Sequence, residues 1–199
     1  MFTIVCCLSG GQPDLHENTG CRNVPMIHTI KKYIFNKTAG ALALIIVLTC
    51  LAYANALTNS FIWDDFLLIV TNDFVHSWDN VPLLLSPEYI TDTAEMQHLG
   101  ETAIGSGELS YRPVNTLTFF LDYGAWGLNP FGFHLTNLLL HTANGILLFF
   151  FIRKISKNHT AAILTALLFT LHPVNSETVA VINFREDLLV VFFCLISFL

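Results

Sequence analysis

Two adjacent carboxylates interrupt an apolar segment of the chain. Asp64 and Asp65 follow Trp63 in the stretch NSFIWDDFLLIV, residues 59–70, with large hydrophobic residues on both sides. Two carboxyl groups do not easily ionise together beside an apolar surface, because desolvation disfavours the charged form. A carboxylate held in this way is suited to act as a general base toward a hydroxyl group. The pair is therefore the first candidate for catalysis.

Two further polar clusters follow along the chain. Arg112 stands just before Pro113, a residue that suits the first turn of a helix. A guanidinium group and a helix N-terminus favour the same anion, so Arg112 is a candidate phosphate ligand. His172, Asn175 and Glu177 form a third cluster after an apolar block. From the residues alone, an acidic loop with one structural arginine explains the first two clusters equally well.

Four apolar segments must position these clusters. Residues 39–57 and 131–152 carry no charge and approach the ~20 residues that cross a bilayer as a helix. Residues 160–171 are too few to cross alone, and residues 188–199 are apolar throughout. The pattern predicts an all-α integral membrane protein, a multi-span helix bundle whose large first outer loop, residues 58–130, contains surface helices.

The composition agrees with this class. The chain is 53% hydrophobic and 12% charged, whereas soluble domains carry roughly 25% charged residues. An ordinary soluble domain is thereby excluded, and we expect an incomplete fragment, the N-terminal part of a larger membrane domain. We divide the sequence into a cytoplasmic tail, residues 1–38, with its true start at Met26, and a membrane part, residues 39–199. The A-x-A pattern that ends at Ala56 leaves cleavage by a signal peptidase open.

The distribution of charge orients the chain. Of the nine Lys and Arg residues, four precede the first span and three follow the second, whereas residues 58–130 carry ten acids and one base. The positive-inside rule places both basic groups in the cytoplasm. The three polar clusters then face the same outer side, in a bacterial inner membrane, which the signal-like start favours, or alternatively in the endoplasmic reticulum. The net charge of −6 describes this outer face, and no nucleic-acid partner is expected.

The elements near the clusters give less definite patterns. Residues 63–85 are partly amphipathic, which fits a helix on the membrane surface or a packed loop, and residues 86–110 are expected to be irregular. A polar stripe in the second span shares one helix face and predicts hydrogen bonds between helices or contact with a ligand. Its members are His134, Asn137, His141 and Asn144. The spacing of the two histidines, with no carboxylate beside them, predicts no metal site.

Four motifs, taken in order, resemble the membrane half of the TMTC family, transmembrane O-mannosyltransferases with tetratricopeptide repeats, and its bacterial relatives. They are FIWDD (61–65), SYRPVNTLTFFLDY (110–123), LNPFGFHLTNLLLH (128–141) and LHPVNSETVAVINFREDLL (171–189). The resemblance implies a glycosyltransferase of the GT-C type. It also implies transfer of a sugar, usually mannose, from a polyprenyl- or dolichyl-phosphate donor to Ser or Thr hydroxyls of a protein acceptor on the outer face.

The resemblance further implies roles for individual residues. Asp64 or Asp65 would be the catalytic base of a single inverting displacement, with Asp64 favoured as the first acid of the pair. Arg112 would neutralise the departing lipid phosphate. Residues expected to line the site are Tyr111, His172, Asn175 and Glu177. The lipid-linked sugar is a substrate, no cofactor is implied, and a requirement for a divalent metal stays open.

Two alternatives remain at this point. The tandem repeats of the family and most of the spans of a GT-C bundle are absent from these 199 residues. In the first, the sugar acceptor is a lipid or a polysaccharide, which a lack of repeats beyond Leu199 would favour, whereas repeats there would favour a protein acceptor. In the second, the protein is a non-catalytic membrane anchor or transporter-like subunit. An anchor has no need of Asp64 and Asp65, so these two residues discriminate the anchor from the enzyme.

Overall fold

The computed structural model describes residues 26–87 and 112–199, with side chains from residue 37 onward. These ranges are helical and contain no strand. The α-helices are α1 (Met26–Tyr53), α2 (Pro113–Trp126), α3 (Pro130–Ser156), α4 (His159–Leu171), α5 (Ser176–Ala180) and α6 (Arg185–Phe198). A boundary between Asn36 and Lys37 divides the chain into two units, and all contacts described below lie within residues 37–199. The all-α class is confirmed for the described residues.

Two helical segments of the described chain are long and apolar enough to cross a membrane. They are Lys37–Thr58, with 22 residues, and α3, with 27 residues. The ends of α3 follow the sequence signals for a helix. The Asn129 side chain accepts a hydrogen bond from the backbone N–H of Phe131 at the start. Lys157 adopts a left-handed conformation at the end, and the basic residues just before it complement the helix dipole.

Helix α4 is too short to cross a bilayer by itself. Its 13 residues extend about 20 Å at ~1.5 Å per residue, against a hydrocarbon core of roughly 30 Å. The helix ends at Leu171, because a proline disfavours helical geometry in the residue before it, here His172. The predicted break at His172-Pro173 is thereby confirmed. One apolar cluster joins α4 to α1 and α3, and its buried members are Ala41, Ile45, Phe149, Ala162 and Ala166.

The outer loop is packed rather than extended along a surface between residues 66 and 85. It forms a π-turn at Phe66–Val70 and 3-10 turns at Asp73–His76 and Trp78–Leu85. Asn72 ends the first of these, since its side chain donates to the Leu68 carbonyl (3.1 Å) and accepts from the Phe74 N–H (3.1 Å). A continuous surface helix over residues 63–85 is therefore not formed, and the packed-loop alternative is the one observed. The expected irregular segment 86–110 lies largely outside the described residues.

Helix α2 turns polar and phenylalanine side chains inward and leucine side chains outward. Asn115, Thr116 and Asp122 are buried, whereas Leu117 and Leu121 are 37% and 55% exposed. Two aromatic residues of α2, Phe119 and Phe120, join the apolar cluster of the outer loop. An exposed apolar side suits a helix that borders hydrocarbon. The inward polar side faces the buried guanidinium group of Arg185.

Replacement of Gly145 by alanine is expected to disturb the contact between α3 and α4. A Cβ atom added at Gly145 would overlap the methyl group of Thr170, whereas one added at Gly40 in α1 would meet no atom within 4 Å. Overpacking costs about 1–3 kcal/mol, so Gly145→Ala should lower the free energy of unfolding in detergent. The control Gly40→Ala should leave it unchanged or raise it, because alanine is the better helix former. Equal stability of the two variants would contradict the close approach of α3 and α4.

Candidate active site

The acidic pair lies in an exposed apolar collar at the beginning of the outer loop. The collar consists of Ile62, Trp63, Phe66 and Leu67, each more than a third exposed. Trp63 has φ 46°, a left-handed backbone conformation that costs a bulky residue about 1–3 kcal/mol. The turn that follows it places Asp64 at the surface and Asp65 in the interior. The two carboxylates are therefore in different environments although they are adjacent in sequence.

Asp65 stabilises the beginning of the outer loop through hydrogen bonds. Its side chain is fully buried, and its two oxygens accept backbone N–H hydrogen bonds from Ile62 (3.0 Å) and from Asn183 (3.2 Å). Burial raises the pKa of Asp65, and the two backbone hydrogen bonds oppose that shift. Both oxygens are thus occupied by the chain's own amide groups, so Asp65 is a structural residue in this arrangement.

Asp64 is the accessible member of the pair. It is exposed, and its Oδ2 accepts a hydrogen bond from the side-chain amide of Asn183 at 3.3 Å. No described residue bonds to its Oδ1. A general base must come within hydrogen-bond reach of the proton that it removes, and of the two acids Asp64 meets that condition.

A buried arginine lies below this loop. Arg185, the first residue of α6, is fully buried, and its Nη2 pairs with Oδ2 of Asp122 in α2 at 2.7 Å. Its other partners are Asn137 Oδ1 (2.7 Å), Thr118 Oγ1 (2.9 Å) and the Phe133 carbonyl (2.9 Å), with the Phe119 ring 5.0 Å from Cζ. Burial raises the pKa of Asp122, whereas the positive charge of Arg185 lowers it. One guanidinium group therefore ties α6 to α2 and α3.

Arg112 and Glu186 form an ion pair beside the buried arginine. Arg112 immediately precedes α2, and its side chain is 39% exposed. An apolar groove of about 430 Å³ begins at this pair and runs between α2 and α6. Its other lining residues are Pro113, Val114, Asn115, Leu189, Val190, Phe193 and Cys194. The candidate phosphate ligand thus stands at one end of an apolar groove and already has an anionic partner.

Four consecutive residues, 183–186, bring these groups together. Asn183 contacts both acids of the pair, Arg185 holds Asp122, and Glu186 pairs with Arg112. We call residues 183–186 the joining segment. It connects the first two predicted clusters, which are separated by about fifty residues in sequence.

The third predicted cluster has a different set of contacts. The ring nitrogen Nδ1 of His172 accepts from the Val174 N–H at 3.2 Å, and the Asn175 side chain donates to the Phe169 carbonyl at 2.7 Å. Glu177 is exposed in the first turn of α5. These contacts shape the turn after α4 and do not reach the acidic pair. Tyr111 lies outside the described residues.

The polar stripe of α3 is buried and serves contacts between helices. Asn137 receives Arg185 and donates to the Val181 carbonyl (3.1 Å), and Asn144 donates to the Leu188 carbonyl (2.9 Å). His141 Nε2 lies 3.0 Å from the Thr170 carbonyl. Hydrogen bonding between helices, one of the two predictions for this stripe, is confirmed for these three residues. In the described part of the chain, no group of three or more His, Cys, Asp or Glu is placed to hold a metal ion.

Four residues that assemble the site were not identified as site residues from the sequence. Asn183, Glu186 and the pair Arg185–Asp122 carry the contacts that assemble the site. A partial signal existed, because the stripe of α3 required buried polar partners and Arg185 is a rare base beside an apolar run. The identity of the partner required the fold, since Asp122 is one of ten acids in the outer loop.

The fold and the site define an all-α membrane protein that exposes one carboxylate of an acidic pair and fixes the other. The chain is 37% identical to human protein O-mannosyl-transferase TMTC1 over 162 residues, 81% of this chain. It is 31% identical to Drosophila melanogaster Tmtc1 over 84% of its length and 34% identical to mouse TMTC2 over 74%. The chain belongs to the TMTC-type family of these proteins.

The matched region is a small part of each relative. It covers 18% of human TMTC1, 18% of the Drosophila protein and 17% of mouse TMTC2. No protein-family model matches the chain, and no solved structure matches it. The family assignment therefore rests on less than a fifth of the length of each of these relatives.

Loss of the charge on either side of the Arg185–Asp122 pair is expected to destabilise the protein strongly. Arg185→Met leaves the Asp122 carboxylate buried without its cation, and removal of one partner of a buried pair costs about 3–5 kcal/mol. The double variant Arg185→Met/Asp122→Leu, which removes both charges, should recover most of that loss. The measurement is the unfolding transition in detergent. A double variant as unstable as the sum of the single variants would show that the pair does not act as a unit.

Proposed function

We propose that the protein transfers a sugar, in the first instance mannose, from a polyprenyl- or dolichyl-phosphate donor to Ser or Thr hydroxyls of proteins. The observation that carries the proposal is the exposed Asp64 carboxylate in its apolar collar, connected through the joining segment to Arg112. The relatives' names describe protein O-mannosyl transfer, which supports this reaction class. The lipid-linked donor and the outer face of the membrane are our extension of it.

The proposed step is a single displacement. Asp64 Oδ1 takes the proton of the acceptor hydroxyl as the hydroxyl oxygen forms a bond to the anomeric carbon. The bond between that carbon and the donor phosphate oxygen breaks on the opposite side, and the electron pair leaves with the phosphate. The configuration at the anomeric carbon is inverted. Asp65 takes no proton in this scheme, because its two oxygens keep the turn in place.

Arg112 is assigned to the leaving phosphate. A guanidinium group suits a phosphate because it offers paired donors in one plane, and stabilisation of developing charge is often the largest contribution to catalysis. The groove between α2 and α6 gives the lipid chain an apolar surface next to this cation. Glu186 must share Arg112 with the phosphate, so we expect their ion pair to loosen when the donor binds.

The proposed site faces the outer side of the membrane, with the N-terminal side of the first span in the cytoplasm. Basic residues flank the cytoplasmic ends of both long helices, and the outer loop is acidic, as the positive-inside rule requires. The relatives named above are animal proteins. This favours the endoplasmic reticulum over the bacterial inner membrane for the same topology.

Removal of the Asp64 carboxylate is expected to abolish transfer without unfolding the protein. General-base catalysis contributes about 10²–10⁴-fold, so Asp64→Asn should lower the rate by at least that lower limit. The assay is transfer from polyprenyl-phosphate-mannose to a Ser/Thr-containing protein by membranes that carry the full-length gene product. The control is Asp73→Asn, which removes an exposed acid from the same loop and should retain the wild-type rate.

Asp65→Asn should behave differently from Asp64→Asn. The asparagine retains one acceptor oxygen, so one of the two backbone N–H groups loses its partner at a typical cost of about 1–3 kcal/mol. The amount of folded protein and its unfolding temperature should therefore fall. Full activity of Asp64→Asn would contradict the proposed base, whereas a wild-type protein that transfers no sugar would favour the non-catalytic anchor. Transfer to lipid or glycan without transfer to protein would identify a different acceptor.

Glycosylation sequons test the proposed topology. Asn158 of the native sequon Asn158-His159-Thr160 immediately precedes α4, on the proposed cytoplasmic side, and should stay unmodified in microsomes. Gly100→Asn creates the sequon Asn-Glu-Thr in the outer loop and should add one glycan, detected as a mobility shift that a glycosidase removes. The control Gly100→Gln creates no sequon and should show no shift. A glycan at Asn158 would reverse the orientation.

A further inference from the structure

Asn183 makes two hydrogen bonds of different kinds to the acidic pair. Its backbone N–H donates to Oδ1 of the buried Asp65 at 3.2 Å, and its side-chain Nδ2 donates to Oδ2 of the exposed Asp64 at 3.3 Å. The side-chain amide must present its nitrogen to Asp64, because an ionised carboxylate accepts hydrogen bonds and cannot donate them. One residue of the joining segment therefore contacts both carboxylates and does so through separable groups.

The amide of Asn183 is held in place with part of its bonding capacity unused. Its Oδ1 is buried and has no hydrogen-bond partner, which is an energetic cost in a folded protein. The residue is fixed from its own segment, because Ile182 and Arg185 on either side of it are fully buried. The contact with Asp64 thus comes from a segment that is anchored in the interior by the side chains of Ile182 and Arg185.

This contact makes the two oxygens of Asp64 different in their hydrogen bonding. Oδ2 accepts from Asn183, whereas no described residue bonds to Oδ1. A hydrogen bond to one oxygen restricts the rotation of the carboxylate, so its second oxygen favours a narrower range of directions. Productive geometry requires such orientation, since a displacement of 1 Å can cost roughly 100-fold in rate.

We infer that Asn183 is a positioning residue that holds Asp64 by Oδ2 and thereby directs Oδ1 toward the hydroxyl of the acceptor. The inference rests on the proposed function and adds a residue to it. The proton of the hydroxyl passes to Oδ1 while the Nδ2–H bond to Oδ2 persists, so the orientation is kept through the transfer step. The joining segment at the same time fixes Glu186, the partner of Arg112, and thus relates the base to the cation at the leaving phosphate.

The test uses Asn183→Leu, which has a similar volume and no amide donor. The backbone N–H of residue 183 remains, so the bond to Asp65 that holds the loop is retained in the variant. We expect kcat for sugar transfer to fall about 10- to 100-fold, with an unchanged KM for the donor and an unchanged unfolding temperature. Asn183→Gln, which keeps a donor on a longer side chain, should recover part of kcat.

Two further variants separate positioning from a general structural effect. Asn80→Leu replaces a half-buried asparagine of the outer loop, whose side chain donates to the Phe74 carbonyl at 2.9 Å, and it should keep the wild-type kcat. In an Asp64→Glu background the carboxylate no longer sits at the Asn183 amide. There Asn183→Leu should have a smaller effect on kcat than in the wild type, because the two residues act as one unit.

The outcomes distinguish the inference from the proposed function. If the wild type and Asn80→Leu transfer sugar and Asn183→Leu equals them, the inference is overturned and the proposed function stands. An equal fold-loss for Asn183→Leu in the wild type and in Asp64→Glu also overturns it, because the effect would not pass through Asp64. If neither the wild type nor Asn80→Leu transfers sugar, the proposed function fails and the inference falls with it.

Discussion

A fully buried positive charge organises the described part of this protein. The Arg185 guanidinium cannot remain in an apolar interior without a counter-charge and hydrogen-bond acceptors, and α2 and α3 supply both. This requirement explains why α2 turns Asp122 inward while it exposes leucine side chains. It also fixes the start of α6, and therefore the position of the residues just before and after Arg185. The acidic pair and Arg112 are positioned through those neighbours.

The arrangement assigns different tasks to chemically similar groups. Asp65 and Asp122 are buried and satisfied by amides, hydroxyls or a guanidinium group, so their charges maintain structure. Asp64 is exposed and Arg112 is 39% exposed, so a substrate can reach both, although Arg112 is paired with Glu186. The exposed apolar collar around Asp64 and the apolar groove beside Arg112 are consistent with a substrate that combines a lipid chain with a polar reacting group. Buried charges thus support accessible ones through the joining segment.

Much of the fold could be predicted from the sequence, because its signals are local. Charge-free runs of suitable length give the two long helices, Asn129-Pro130 marks the beginning of α3, and His172-Pro173 marks the end of α4. The acidic pair and Arg112 were identifiable as chemically unusual residues in their surroundings.

The different environments of Asp64 and Asp65 were not predictable, because they depend on Asn183, more than a hundred residues away. The pairing of Arg185 with Asp122 was not predictable either, because the outer loop contains many acids and only the packing of α2 against α6 determines which of them meets Arg185. Residues 63–85 do not form one surface helix, because the Asn72 side chain makes hydrogen bonds to the backbone of its own turn.

The fixed length of the joining segment limits how this protein can change in evolution. Asn183, Arg185 and Glu186 each engage a different partner within a single stretch that leads into a helix. One residue added or removed there would rotate the beginning of α6 by about 100° and would misalign all three partners at once. A substitution there disturbs one partner, whereas an insertion or deletion disturbs all three. Related chains should therefore preserve the length of this stretch, and gaps in their alignment should fall in the outer loop instead.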